Sequence, residues 1–138
     1  MEELTELKEL YLQCCEAMSR GDYLFFARRF SQKEGVLAIG TDPTEWLEGY
    51  AAIAGVFKSQ LEQAGGFLVL PGTPRSHRDG SIGWVAGRPA IKLPNGSEIP
   101  ARLTAVFQQD QGDWKIVQWH FSVGISNEDL IGETLTTQ

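Results

Sequence analysis

The chain is predicted to fold as an α+β protein, with helices first and an antiparallel β-meander after them. Two observations carry this. Apolar residues recur at helical spacing up to about residue 64, and from Phe67 onward β-rich segments alternate with turn signals. A third locates the centre of the sheet. The stretch Trp114-Lys115-Ile116-Val117-Gln118-Trp119-His120-Phe121-Ser122 has neither Gly nor Pro, and apolar side chains occupy both of its alternating registers. It reads as a strand covered on both faces.

The length of 138 residues fits one domain, 1–138, large enough to bury a core. Hydrophobic content of 42% and charged content of 22% are those of a soluble globular protein. A net charge of -6 argues against a nucleic-acid partner, which needs a basic face to neutralise phosphates. Apolar runs fall short of the roughly 18–20 residues of a membrane span, and Met1-Glu2-Glu3-Leu4 lacks the basic start of a signal peptide. No membrane partner is expected, and the location is read as cytoplasmic.

Taken in order, Leu4, Leu7, Tyr11, Cys14 and Met18 lie on one stripe, predicting a helix over about 3–20. Gly21 supplies a left-handed stop and Asp22 the next N-cap. The second, shorter helix turns Tyr23, Phe26, Ala27 and Phe30 inward and Arg28-Arg29 to a solvated face. Cys14 and Cys15, the chain's two cysteines, point about 100° apart on a helix, a poor disulfide geometry. Both are read as reduced thiols, one buried and one partly exposed.

Val36 to Gly40 is short, apolar and β-branched, a first strand. Thr41-Asp42-Pro43-Thr44-Glu45-Trp46 then offers an N-cap acid, a proline at the first helical position and a glutamate three residues past the cap. That pattern predicts a third helix, carried by Tyr50, Ile53, Ala54, Phe57, Leu61 and Ala64 to a stop at Gly65-Gly66. Turn signals at Arg78-Asp79-Gly80, Pro94-Asn95-Gly96 and Asp110-Gln111-Gly112-Asp113 divide the remainder into four hairpin-linked strands, about 67–76, 81–93, 98–109 and 114–123. Ser126-Asn127-Glu128-Asp129 has a capping pattern, and the tail 125–138 is expected to fray after one helical turn.

A sheet of this kind has one face for the helices and one left for solvent or a second subunit. In the last strand Trp114 and Ile116 share one register and Val117, Trp119 and Phe121 the other. Two apolar registers predict a homodimer packed sheet to sheet.

The element order, together with the ending Gly112-Asp113-Trp114-Lys115-Ile116-Val117-Gln118-Trp119-His120-Phe121-Ser122, resembles the nuclear transport factor 2-like superfamily and its SnoaL-like branch in particular. The terminal W-x-I-V-x-aromatic-H-x-S pattern is most similar to the association domains of calmodulin-dependent kinases and their bacterial relatives. The resemblance covers nearly the whole chain. It implies a cone-shaped curved antiparallel sheet, cystatin-like, packed against three N-terminal helices that close a pocket. Activity is not implied, because this superfold hosts isomerases, dehydratases, cyclases, transport adaptors and assembly modules.

Ketosteroid isomerases of this fold use a tyrosine on the first helix, two supporting tyrosines, a basic aspartate and a protonated aspartate. The matching positions here are Cys14, Phe30 and Phe57, Ile39 or Gly40, and Thr104 or Ala105, so every phenol and carboxylate is replaced. The kinase association domains carry arginines in the cone. Their positions match Arg88, Ala105 and Phe121, leaving one positive charge. That match turns Trp84, Ala86 and Arg88 inward with Val117, Trp119 and Phe121, and sends His120 to the other face.

The ligand pocket expected from this reading is lined by Cys14, Met18, Phe30, Trp46, Phe57, Trp84, Arg88, Trp119 and Phe121. Its occupant would be a small apolar molecule bearing an acidic group held by Arg88. In the alternative reading the protein is a lyase- or isomerase-type enzyme that moves protons with His120 or Asp42 in the same pocket. Each residue also has a plainer role: His120 in a hydrogen bond across the sheet or a dimer interface, Asp42 as a cap, Arg88 paired with an acid, and the aromatics as core. His77, beside a turn, is read as surface. With two histidines and no helix-spaced acidic partner, neither a metal site nor a cofactor is expected.

Overall fold

A computed structural model describes residues 2–64 and 67–132. These form, in chain order, β1 (Glu2–Glu3), α1 (Thr5–Arg20), α2 (Tyr23–Arg29), β2 (Leu37–Ile39), β3 (Trp46–Glu48), α3 (Tyr50–Ala64) and β4 (Leu68–Leu70). There follow β5 (Arg75–Asp79), β6 (Ile82–Gly87), β7 (Ala90–Lys92), β8 (Glu98–Pro100), β9 (Arg102–Asp110), β10 (Asp113–Ser122) and α4 (Asn127–Ile131). A seven-stranded sheet runs in the order β1-β5-β6-β9-β10-β2-β3, and a three-stranded sheet in the order β4-β7-β8. The fold is α+β, with an open, curved main sheet.

The two N-terminal helices follow their sequence signals. Gly21 closes α1 at φ 72°, its N–H turned back to the carbonyls of Ala17 and Met18. One residue on, the Asp22 carboxylate accepts the Phe25 N–H at 3.2 Å and starts α2. The α1 stripe is buried against β5 and β6, with α2 and β4 on its flanks. That arc is wide enough to cover adjacent positions, so Cys15 is buried like Cys14, contrary to the expected division between them. Burial pushes the Cys15 thiol up to about 11 and the Cys14 thiol higher still.

The third helix does not start at the capping pattern. Its hydrogen bonds form, but they close a turn: the Glu45 carboxylate accepts the Asp42 N–H at 2.9 Å, and Asp42 accepts the Thr44 N–H at 2.8 Å. Trp46–Glu48 then pairs antiparallel with Leu37–Ile39 as β3, and α3 begins only after Gly49, whose φ is 90°. Reciprocal side-chain-to-backbone bonds satisfy a tight turn as readily as a first helical turn. The expected stop at Gly65-Gly66 lies outside the described residues.

Each of the first three expected long strands is broken, and a proline stands at or beside each break. Pro71 and Pro74 separate β4 from β5, Pro89 separates β6 from β7, and Pro100 ends β8 before β9. The pieces on the far side of those prolines form the three-stranded sheet. The β5-β6-β9-β10 ladders are antiparallel as expected, and the first strand joins them in parallel, β2 lying along β10 with Leu37, Ala38 and Ile39 opposite Gln118, Trp119 and His120.

The last strand holds a bulge. Ile116 faces Phe107 and Gln118 faces Val106, so Val117 has no partner of its own in β9. One extra residue reverses the alternation. Trp114, Ile116, Trp119 and Phe121 therefore all lie on the helix-facing side, between 0% and 6% exposed. The two apolar registers seen in the sequence are one buried face. At the C-terminal end, Ser126 caps α4 by accepting the Asp129 N–H at 3.0 Å; the tail from residue 133 lies outside the described residues.

Candidate functional site

A cavity of about 110 Å³ opens between the main sheet, α3 and the small sheet. Its floor is Trp119 and Phe121 of β10, with Ala38 beside them on β2. The bulge at Val117 brings these two aromatics to the inner face. One wall comes from Val56, Phe57 and Leu61 on α3, and the others from Met18 on α1, Leu47 on β3, Phe67 and Ile91. Behind the floor the aromatic packing continues. The Phe57 ring centroid lies 5.8 Å from Trp119, 4.6 Å from Phe26 and 5.2 Å from Phe30.

The polar groups gather at one edge, where Thr41, Glu45 and Gln60 stand around Gly40. Glu45 is half-buried, and both of its oxygens are engaged. One accepts the Asp42 N–H at 2.9 Å and the other accepts the Gln60 amide. The Glu45 side chain uses the space left by Gly40: a Cβ there would stand 2.5 Å from the Glu45 Oε1 and displace the carboxylate. Among the described residues, Glu45 is the single charged side chain lining the cavity.

The residues anticipated from sequence fall into three groups. Met18, Phe57, Trp119 and Phe121 line the cavity. Cys14 and Phe30 are buried in the adjoining core, Phe30 with its ring centroid 6.1 Å from that of Trp119. Trp46, Trp84 and Arg88 lie elsewhere. Trp46 is 60% exposed at the sheet edge, and Trp84 is tilted over His77 on the outer face at 6.2 Å. That contact half-buries His77 rather than leaving it at the surface.

The inward orientation expected for Trp84, Ala86 and Arg88 is thereby corrected. Gly83, Val85 and Gly87 hold the inner register of β6, because α1 presses so closely there that a side chain at Gly83 would run into Leu7 and one at Gly87 into Tyr11. Alternation sends their neighbours outward. Arg88 is exposed at a separate groove shared with Pro89, Ile99, Pro100, Arg102 and Val123. It does not reach the cavity.

Neither acid–base candidate reaches it either. His120 is exposed on the outer face, opposite Thr104 on β9 and Ile39 on β2. Asp42 is exposed and holds its own turn. Hydrogen bonds from the Thr44 hydroxyl and N–H keep its carboxyl below the usual range. Sequence reasoning missed Glu45 and Gln60 as cavity residues. The signal for Glu45 was present, but it was absorbed by the capping pattern.

The model of the SnoaL-like domain family matches residues 7–126. The chain belongs to the SnoaL-like family. A search of curated proteins found no match to it. Solved structures of low identity share the fold of this SnoaL-like chain. An NTF2-like protein of unknown function from Pseudomonas putida superposes with a TM-score of 0.79 at 13% identity, covering 97% of this chain and 94% of that one. A candidate calcium/calmodulin-dependent protein kinase type II association domain from Thiobacillus denitrificans gives 0.72 at 17% identity, covering 91% and 98%. A candidate dehydratase of the NTF2-like family from Streptomyces avermitilis gives 0.73 at 15% identity, covering 88% and 97%. The superfamily resemblance read from the sequence is thus borne out, and with it the α+β fold.

Proposed function

We propose that this SnoaL-like protein is a small-molecule-binding module that holds a compact apolar ligand in the cavity between the main sheet and α3. The observation that carries the reading is the cavity itself, about 110 Å³ with aromatic and aliphatic walls and its polar groups confined to one edge. Engineered apolar cavities of about 150 Å³ bind benzene, so a body near the size of one small ring is the right scale. The acidic ligand expected from Arg88 is not retained, because Arg88 stands at another groove. Proton transfer by His120 or Asp42 is not supported, since neither side chain lines the cavity.

The outer face of the main sheet supports a homodimer in this reading. Leu37, Trp84 and Val106 are half-buried there beside Gln118, and Trp46 is 60% exposed at its edge. A light-scattering mass of one chain at micromolar concentration would refute the dimer.

The cavity is tested by titrating compact hydrocarbons and alcohols against the amide and methyl NMR signals of the protein. Shifts should concentrate on Phe57, Leu61, Trp119 and Phe121. No shift with any probe, or shifts confined to the outer sheet face, would overturn the reading.

A further inference from the structure

The single charged side chain among the described residues that line the cavity points to the kind of head group its ligand carries. We propose that the cavity selects a compact apolar amine, its ammonium held by Glu45 at the polar edge, and rejects carboxylates of the same shape. The proposal rests on the reading of the cavity as a ligand site.

Three features of that edge support it. An ionised carboxylate accepts hydrogen bonds at about four lone-pair positions, and the neighbours of Glu45 use two: the Asp42 N–H at 2.9 Å and the Gln60 amide. Two remain for a ligand. Gln60 gives its amide nitrogen to Glu45, so the free end of that side chain is a carbonyl oxygen, another acceptor. Thr41 adds a hydroxyl that accepts as well as donates. The edge therefore offers acceptors to a donor-bearing ligand, and its formal charge repels an anion.

The position of Glu45 is also fixed. Its backbone is tied on both sides, the Glu45 N–H to the Asp42 carbonyl at 2.9 Å and the Glu45 carbonyl to the Gly40 N–H at 2.9 Å. The side chain lies over Gly40 in space that any larger residue would fill. A half-buried acceptor held in this way strengthens a charge-assisted hydrogen bond relative to one in open water.

Isobutylamine, isobutanol, 2-methylbutane and isobutyrate form a matched series for the test, each titrated by NMR against the wild-type protein and Glu45→Gln. In the wild type, isobutylamine should bind at least tenfold tighter than isobutanol, and isobutyrate should cause no shift at the cavity. Glu45→Gln keeps an acceptor for the turn but removes the charge. It should weaken isobutylamine about tenfold or more and leave 2-methylbutane unchanged.

If 2-methylbutane binds but isobutylamine binds no better than isobutyrate, the amine inference is overturned while the cavity reading stands. Unchanged amine affinity in Glu45→Gln has the same consequence. If none of the four binds, both readings fall. The wild-type series decides the matter even where the variant does not fold.

Discussion

Inserting one residue between Val106 and Phe107 on β9 is expected to unfold the protein, whereas shortening the Val117 side chain is expected to be tolerated. The insertion gives Val117 a partner and restores one-to-one pairing between β9 and β10, and regular alternation then places Trp114 and Ile116 on the face opposite Trp119 and Phe121. One pair must leave the core. All four side chains are now between 0% and 6% exposed. Losing one large aromatic from a core costs about 3–5 kcal/mol, so expelling Trp119 with Phe121 costs roughly 6–10 kcal/mol. The entire stability of a domain is about 5–15 kcal/mol. Val117→Ala removes two methyl groups from a half-buried site and should cost about 1 kcal/mol. Urea unfolding of both variants, followed by circular dichroism and tryptophan fluorescence, separates the cases. A β9 insertion variant that unfolds within about 1 kcal/mol of wild type would refute the claim that the bulge sets the phase of the strand.

Further outcomes follow from the packing and charges. Gly87→Ala drives a Cβ into Tyr11, a side chain 1% exposed whose hydroxyl donates to the Pro71 carbonyl at 2.7 Å; a loss of about 1–3 kcal/mol is expected by thermal melt. Cys14 and Cys15 should be inert to thiol reagents at pH 8 in the native protein and react fully in urea. Burial raises the Cys15 value from 9.0 to about 11, so its share of stability is full below pH 9 and is lost as pH rises toward 11. Melting temperature should fall across that window, and replacing both cysteines with alanine should flatten the fall. Asp113 has the opposite sign. Partial burial raises its carboxyl, but Arg29 and then Lys115 outweigh this and leave it below its ordinary value. Its stabilisation is present above about pH 3.9 and disappears as pH falls through the lower folded value. With that side chain 55% exposed, Asp113→Asn should flatten the acid limb by less than about 1 kcal/mol.

Local signals in the sequence located α1, α2 and β2 because each is fixed by neighbours in the chain: a 3.6-residue stripe, a left-handed Gly21, an Asp22 cap. The element order and the ending of the last strand identified the superfamily. What escaped was decided across the chain. Asp42 and Glu45 make the same bonds in a turn as at a helix start, and only the pairing of Trp46–Glu48 with β2 distinguishes the two. The bulge at Val117 is invisible locally, because an unpaired residue exists only relative to the partner strand. Missing it made one buried face look like two and gave the sheet-to-sheet dimer an argument it does not have. The cavity was half legible. Trp119 and Phe121 were assigned to it from the match to the kinase association domains, yet the same match turned Arg88 inward, where the close approach of α1 to Gly83 and Gly87 leaves no room.

The parallel pairing of β2 with β10 also governs how the chain is made. Leu37 must wait for Gln118 before its ladder exists, and β10 is the strand that joins the β2–β3 hairpin to the rest of the main sheet. On a ribosome, synthesis proceeds at about 5–20 residues per second. For the several seconds between emergence of β2 and of β10, the inner faces of α2 and β2 lack the strand that covers them. Pairings of such high sequence separation fold slowly and leave apolar surface open to aggregation. Truncated nascent chains ending before Asp113 are therefore the species that chaperones should capture, and release should coincide with delivery of the last strand.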